Sequence, residues 1–230
     1  MSSKVSGLVV VLIFAGSVAS AAKCRQPHDC NLMAIPDHEI CNFHKVDNDL
    51  YRGARPTCGG LARLETLGIR TFIDLGGAEA AIAGCKDQAR EAGMRFIYFH
   101  ISVAQIILSG VSAERLQQLF TLIQQAPKPI FVSCSLGRDR TGMVVALYRA
   151  RHGELSFDRA EREAVYYGYR THFIGLRKAF ERYQDPQELA SLPAPSLSPA
   201  LPGDVCFPEE VVRDSQSGEA RNDPERDSAR

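Results

Sequence analysis

The 230-residue chain lacks several features that would point to large classes of function. It has no net charge at pH 7, because 27 basic side chains balance 27 acidic ones. It also lacks a basic stripe with interleaved aromatic residues, the pattern that would indicate a nucleic-acid partner. None of the seven cysteines forms a CxxC pair, and no internal repeat is present. We therefore expect one globular domain of ordinary size, with no nucleic-acid partner and no structural zinc ion.

The N-terminus is typical of a secretory signal peptide over residues 1–22. Lys4 supplies a positive charge, residues 7–15 form an apolar core, and small residues around Ala21 form a cleavage site. An N-terminal membrane anchor is the alternative, although the apolar stretch is short for a bilayer span. We expect a secreted or periplasmic protein with no membrane span after cleavage.

The cysteines and the composition of the C-terminus indicate where the folded part of the chain begins and ends. Seven cysteines behind a signal peptide indicate a disulfide framework with one thiol left over, which we expect to be Cys134. From residue 186 onward Pro, Ser, Ala and charged residues dominate. We expect a folded domain over residues 23–185, with a Cys-rich N-terminal segment, and a disordered tail over residues 186–230.

Strand and helix patterns alternate along the folded part. Short strands are predicted at residues 50–53, 70–75, 95–100 and 130–132. Helices are predicted at residues 60–67, 79–91, 139–152, 156–169 and 171–183, and also after Ser112, where Leu116, Leu119, Phe120 and Ile123 recur at helical spacing. This alternation predicts an α/β fold, with a mostly parallel sheet covered by helices on both faces. The functional site should then lie at the carboxyl edge of the strands.

The most specific motif is at residues 130–142, which read IFVSCSLGRDRTG. An apolar strand ends at Cys134, a short polar loop follows, and a helix comes next. Loop N–H groups and a helix N-terminus converge on an anion, and the same field stabilises a thiolate. Arg140 offers a planar fork of donors for phosphate oxygens, and Gly137 allows a tight turn.

These residues resemble the signature loop of the cysteine-dependent protein tyrosine and dual-specificity phosphatases. The GxDRTG spelling resembles an atypical branch of that superfamily that is found in bacteria, fungi and plants. Residues 43–56 and 67–75 resemble the opening strand and the next helix end and strand of the same branch. The resemblance covers roughly residues 40–184 and agrees with the α/β fold inferred from the strand and helix patterns.

The resemblance implies a phosphatase that forms a phosphocysteine intermediate. Cys134 is the implied nucleophile, Arg140 the phosphate-binding arginine and Asp139 the general acid. The implied phosphate-binding loop also includes Ser135, Leu136, Gly137, Arg138, Thr141 and Gly142. The Thr141 hydroxyl is placed to donate to the thiolate when sulfur leaves. No metal or other cofactor is expected, because arginine and amide groups supply the positive charge.

Two departures from the family pattern keep other functions open. Ser133 stands where the family usually has His, and residues 101–111, where many relatives carry the acid, contain no Asp or Glu. Asp139 therefore has two interpretations, as the general acid or as a structural carboxylate that orients an arginine or caps the helix. The departures leave a phosphate-binding pseudophosphatase open. A thiol redox or sulfur-transfer protein is a further alternative, because such proteins can also place a cysteine in an anion-binding loop.

The substrate is not fixed by the sequence. A phosphorylated protein or a phospholipid fits an arginine cradle, and so does a small phosphate. Arg138 adds a second cation near the predicted site, which would favour a phosphoinositide if it faced the pocket. A phosphoinositide phosphatase is therefore a further alternative to a tyrosine or dual-specificity protein phosphatase.

Overall fold

The computed structural model describes residues 39–76, 83–91 and 93–193. The predicted signal peptide, Cys24, Cys30 and Cys206, and the tail beyond residue 193 lie outside the described residues. The predictions made for them stay predictions.

Strands and helices alternate in the described part of the chain. The strands are β1 (His44–Lys45), β2 (Leu50–Ala54), β3 (Thr71–Asp74), β4 (Arg95–Tyr98) and β5 (Ile130–Cys134). The helices are α1 (Cys58–Thr66), α2 (Ala83–Glu91), α3 (Ala113–Gln125), α4 (Asp139–Arg151), α5 (Phe157–Tyr166), α6 (Ile174–Tyr183) and α7 (Pro186–Ser191). A π-helical turn (Gln105–Ser109) lies between β4 and α3.

The strands form one sheet in the order β1-β2-β5-β3-β4. β2, β5, β3 and β4 run parallel, and β1 pairs with β2 antiparallel at one edge. β5 lies at the centre, so Cys134 at its end is flanked by the ends of β2 and β3. The predicted α/β fold with a mostly parallel sheet is confirmed.

Helices cover both faces of the sheet because successive strand residues point to opposite sides. On one face Phe72 and Phe131 pack with Leu61 and Leu64 of α1 and with residues of α2. On the other face strand residues, Ile73 among them, pack with α3, α4, α6 and α7 in a larger core. α4 is buried on most of its surface.

Local sequence signals explain where several helices begin. The Ser112 hydroxyl accepts a hydrogen bond from the Arg115 N–H at 3.3 Å and caps α3, as predicted. The predicted apolar face of α3 is confirmed, since its four members are fully buried: Leu116, Leu119, Phe120 and Ile123. Thr57 caps α1 in the same way through the Gly60 N–H.

The structure differs from the sequence predictions at several places. The predicted loop at residues 101–111 contains the π-helical turn, and both Val103, just before the turn, and Leu108, within it, are exposed. The helix predicted over residues 156–169 ends at Tyr166, and the helix predicted from residue 171 begins only at Ile174, which leaves residues 167–173 as the connection between α5 and α6. The predicted end of the domain at residue 185 is too early, because α7 follows and Leu192 is buried against the large core.

A disulfide links the two helices that cover the smaller core, the one built around Phe72 and Phe131. Cys58 at the start of α1 and Cys85 in α2 form a disulfide, and Cys41 is disulfide-bonded as well. Cys134 is the free cysteine of the described part. In that part of the chain, no helix has the length and apolarity needed to cross a bilayer.

Candidate active site

The site is built where β5 gives way to α4. Cys134 is the last residue of β5, and α4 begins five residues later at Asp139. Both elements are buried, so the short connection between them has little freedom to move. The first N–H groups of a helix have no intrahelical partner, and they form a positive end close to the cysteine. Cys134 is 3% exposed, which places a free thiol in a mostly water-excluded setting.

Gly137 makes the tight turn of the loop possible. Its φ is +65°, a left-handed conformation that L side chains rarely adopt. A Cβ at this position would lie 2.4 Å from the backbone carbon of Gly53 and 2.5 Å from the backbone nitrogen of Ala54. The loop thus lies directly against the end of β2, and no side chain fits between them. The predicted role of Gly137 agrees with this geometry.

Two buried side chains hold the loop by hydrogen bonds. Arg52 Nη2 donates to the Gly137 carbonyl at 2.8 Å, and Asn42 Nδ2 donates to the same oxygen at 2.9 Å. Asn42 also donates to the Tyr167 carbonyl at 3.0 Å. The Arg52 guanidinium is fully buried and lies 4.1 Å from the centre of the Tyr167 ring, a cation–π arrangement.

Arg52 places a positive charge next to the loop. Burial lowers its pKa from the ordinary value, while Tyr167, Glu163 and Cys134 act in the opposite direction. An arginine remains protonated under such conditions, so its charge favours an anion above it. The sequence alone suggested neither Asn42 nor a buried Arg52. An arginine in a strand that pairs with the signature strand was the available signal.

Ser133 does not take over the hydrogen bonding of the histidine that usually precedes the nucleophile. Ser133 is fully buried, and its Oγ has no hydrogen-bond partner among the described residues. Thr141 is also fully buried, with an Oγ1 that has no partner in the same part of the chain. Its predicted donation to the leaving thiolate stays a prediction. The contacts of Arg52 and Asn42 are what support the loop here.

A pocket of about 180 Å³ opens above the loop. Its floor, as we use the term, consists of Cys134, Ser135, Leu136, Asp139 and Arg140. Its wall consists of Val103, Ile106, Ile107, Arg170 and Phe173. The structure thus brings together the three predicted catalytic residues and two of the predicted phosphate-binding residues. Gly137, Arg138, Thr141 and Gly142 belong to the loop and to α4 but do not line the pocket.

Arg140 is anchored at the edge of the pocket. Its Nε donates to the Ile101 carbonyl at 2.8 Å, which ties the first turn of α4 to the segment after β4. A guanidinium carries five N–H groups, so this bond leaves other donors for a ligand. The position suits a side chain that binds phosphate oxygens.

Asp139 is tied to an arginine that the sequence analysis missed. Arg170 Nη2 lies 2.6 Å from Asp139 Oδ2, and Arg170 Nε lies 3.1 Å from Oδ1. The Arg170 backbone N–H also donates to Oδ1 at 3.1 Å. These bonds raise the pKa of Arg170 and make Asp139 an acceptor at both oxygens. Arg138, predicted as the second cation, is not among the lining residues, whereas Arg170 is.

The described residues contain no cluster of three or more His, Cys, Asp or Glu side chains that could hold a metal ion. The pocket has one carboxylate among its described lining residues, Asp139, and it is paired with Arg170. The groups that face a ligand in the pocket are therefore a thiol, two guanidinium groups and an apolar wall.

Sequence comparisons place the chain among phosphatases. A family model for a DSP-PTPase phosphatase fused to NAD+ kinase matches residues 32–172. A putative tyrosine-protein phosphatase, OCA1 of Mycosarcoma maydis, is 32% identical over 111 residues, which cover 47% of this chain and 68% of that protein. The inositol diphosphatase DSP1 of Oryza sativa subsp. japonica is 28% identical over 109 residues, 47% of this chain and 49% of that protein.

Solved structures share the fold. P. aeruginosa TpbA in complex with pTyr matches with a TM-score of 0.53 and 20% identity, over 68% of this chain and 91% of that one. The catalytic domain of the PP-IP phosphatase Siw14 from S. cerevisiae matches with a TM-score of 0.54 and 17% identity, over 63% and 86%. The family match covers more than half of the chain and includes the complete signature loop. The chain therefore belongs to the DSP-PTPase family and is a cysteine-dependent phosphatase of the protein tyrosine phosphatase class.

Proposed function

We propose that this phosphatase hydrolyses phosphoric monoesters through a phosphocysteine formed on Cys134. The observation that carries the proposal is that Cys134 and Arg140 line one pocket at the N-terminus of α4. A thiolate on the floor and a guanidinium beside it are the two groups that phosphoryl transfer to sulfur requires. Loop N–H groups supply the remaining donors for the phosphoryl oxygens.

The reaction has two steps. Cys134 Sγ attacks phosphorus, the P–O bond to the leaving group breaks, and the leaving oxygen takes up a proton. Water then attacks the phosphocysteine, the P–S bond breaks, and inorganic phosphate leaves as the thiolate is restored. Arg140 binds phosphoryl oxygens in both steps, so its contribution is to hold and neutralise developing charge. These donors supply the charge stabilisation, so we expect no metal requirement.

The proton donor of the first step is a separate question. Asp139 is the predicted acid, and it is the carboxylate that lines the pocket among the described residues. An acid must carry a proton before it can donate one, whereas both Asp139 oxygens accept hydrogen bonds from Arg170. This pairing favours the other interpretation, in which Asp139 orients an arginine. The acid role stays a prediction.

The substrate that we propose is a phosphorylated protein or a phospholipid. The names of the similar proteins include a tyrosine-protein phosphatase, an inositol diphosphatase and a structure with pTyr bound. The pocket offers an apolar wall and a second guanidinium, so its chemistry suits both an aromatic phosphate and a polyanionic one. Turnover of a phosphotyrosine peptide and of a phosphoinositide, measured side by side, separates the two.

We also propose that the protein works in an oxidising compartment, secreted or periplasmic. The Cys58–Cys85 disulfide supports this, because disulfides persist outside reducing compartments. Alkylation of the unreduced, denatured protein followed by peptide mass mapping tests it. We expect label on Cys134 and none on Cys58 or Cys85. Label on all three would contradict the proposal.

The test of the activity is hydrolysis of an aryl phosphate in the presence of a chelator, with acid quench to trap a phosphorylated peptide. We expect turnover with chelator present and phosphate on the peptide that contains Cys134. Trapped phosphate on another residue would overturn the mechanism.

A phosphate-binding pseudophosphatase is the second candidate. The observation that favours it is Ser133, whose Oγ makes no hydrogen bond among the described residues and so leaves the family's histidine unreplaced. In that case the protein binds inorganic phosphate but does not hydrolyse the aryl phosphate. Ser133→His would then be expected to create turnover, whereas in an active enzyme it changes the rate only modestly.

A further inference from the structure

Arg170 occupies a place in the pocket that the mechanism above does not use. It lies on the connection between α5 and α6, far along the chain from the signature loop, and it lines the same pocket as Cys134. Its guanidinium stacks on Phe173 at 4.3 Å from the ring centre. Two neighbours, one aromatic and one acidic, thus fix the side chain on two sides.

Asp139 holds Arg170 in place through the start of α4. The carboxylate accepts from the backbone N–H, Nε and Nη2 of Arg170, which fixes both the connection and the direction of the guanidinium. Asp139 is 6% exposed and belongs to a buried helix, so it forms a rigid anchor. A planar fork bound on one edge by a carboxylate keeps its other N–H groups for a second anion.

Exposure distinguishes Arg170 from the residues at the floor. The Cys134 residue is 3% exposed, whereas the Arg170 side chain is 45% exposed. The scissile phosphate must reach Cys134, where the loop and Arg140 receive it. Arg170 therefore lies nearer the solvent side of the pocket than Cys134 does.

We propose that Arg170 is a second substrate-binding guanidinium, which binds an anionic group that the substrate carries beside the scissile phosphate, and that Asp139 is its positioning residue. The inference rests on the proposed phosphatase site but concerns a different pair of residues. Phe173 supports the plane of the guanidinium, and Asp139 holds one edge of it.

Binding to the inactive Cys134→Ser protein tests this without the need for turnover. The probes are inorganic phosphate, with one phosphoryl group, and pyrophosphate, with two, measured by calorimetry without metal ions. Arg170→Gln should weaken pyrophosphate binding by about tenfold or more, since hydrogen bonds to charged groups contribute roughly 1.5–3 kcal/mol. Phosphate binding should stay within about twofold.

Control variants separate a local effect from a general one. Arg177→Gln removes an arginine on α6 that pairs with Glu181 at 3.1 Å and does not line the pocket. It should leave both dissociation constants unchanged. Arg170→Lys keeps the charge without the fork and should recover part of the pyrophosphate preference. Thermal unfolding of each variant shows whether the fold is retained.

The role of Asp139 is tested by a double variant and by substrates with different leaving groups. If Asp139 acts through Arg170, Asp139→Asn weakens pyrophosphate binding, and the double variant with Arg170→Gln is no weaker than Arg170→Gln alone. In the active enzyme, any change in turnover caused by Asp139→Asn is then the same for good and poor leaving groups. A loss that grows as the leaving group becomes poorer would instead make Asp139 the general acid and overturn its positioning role.

Three outcomes would overturn the proposal for Arg170. The first is an equal loss of affinity for phosphate and pyrophosphate in Arg170→Gln, and the second is no loss of affinity for either. The third is the same loss of affinity in Arg177→Gln. Absence of turnover in the unmodified protein would count against the proposed phosphatase mechanism instead, and the binding results would stand apart from it.

Discussion

The floor and the wall of the pocket are held by different means. The floor lies on the loop that joins a central strand to a buried helix, and Arg52 and Asn42 hold this loop through the Gly137 carbonyl. The wall comes from two connections, one between β4 and α3 and one between α5 and α6, and its side chains include the exposed Val103. A rigid floor suits the chemical step, whereas an exposed wall suits the recognition of what surrounds the phosphate.

This difference assigns separate kinetic roles to the two regions. Changes at the floor should reduce turnover for every substrate, because all of them pass through the same phosphocysteine. Changes at the wall should alter affinity for some substrates and leave turnover at saturation nearly intact.

The largest effect is expected at the nucleophile. Cys134→Ser should reduce hydrolysis of an aryl phosphate to background, because a serine hydroxyl at this site has no base to activate it. Binding of inorganic phosphate should survive, since the loop donors and Arg140 remain. Initial rates and calorimetry on the same preparation measure both. Residual turnover well above background would show that the floor works without a thiolate.

The next effect concerns Gly137, the turn of the loop that carries the floor. Gly137→Ala combines a left-handed φ of +65° with a Cβ 2.4 Å from the backbone of Gly53. The strain alone costs about 1–2 kcal/mol, and displacement of the loop by about 1 Å can cost about 100-fold in rate. We expect a loss of kcat/KM of that order, with a clear drop in melting temperature.

Gly153→Ala is the matched control for this substitution. Gly153 has a similar φ of +71°, but a Cβ there would meet nothing within 4 Å. It should lose stability from the backbone conformation alone and keep full activity. Equal melting temperatures for the two variants would mean that the contact between the loop and β2 does not constrain the floor.

The same contrast explains what the sequence reveals. Cys134, Arg140 and Gly137 could be predicted because one contiguous motif dictates the floor. Arg170 could not, since it meets Asp139 only through the packing of α5 and α6 against α4, and a lone arginine before a helix carries no local signal. The burial of Arg52 could not be predicted for a related reason. A strand arginine is usually exposed, and only the structure shows that it lies beneath the loop.

Substitution in the wall should give a smaller and more selective effect. Val103 lines the pocket and is 60% exposed, whereas Leu108 nearby is 62% exposed and does not line it. Val103→Ser should raise KM for an aryl phosphate about two- to fivefold, a part of the ~1.5–3 kcal/mol that full burial of such a side chain contributes. The kcat should change little.

Leu108→Ser tests whether that effect belongs to the pocket. The two residues are about equally exposed, so both substitutions should leave the melting temperature nearly unchanged. If Leu108→Ser raises KM as much as Val103→Ser does, the wall acts as a general apolar surface and not as part of the pocket.

The smallest effect is expected at His44 and concerns how stability depends on pH. His44 lies 5.4 Å from the Tyr167 ring centre, and Arg52 lies on the same ring. Burial, followed by the charges of Arg52 and Arg149, lowers the pKa of His44 to about 4. The folded protein therefore keeps His44 neutral at a pH where the unfolded chain, with a histidine pKa near 6.5, already binds a proton.

The stability contributed by a neutral His44 is thus fully present above about pH 6.5 and is lost as the pH falls from there toward 4. His44→Phe keeps a ring next to Tyr167 and removes the proton site, so its melting temperature should fall less than that of the unmodified protein between pH 7.5 and 5. His172→Phe, at an exposed position, controls for the loss of an imidazole in general. If His44→Phe and the unmodified protein lose stability in parallel over this range, burial and the nearby arginines do not lower the pKa of His44, and His44 is less enclosed than its contacts indicate.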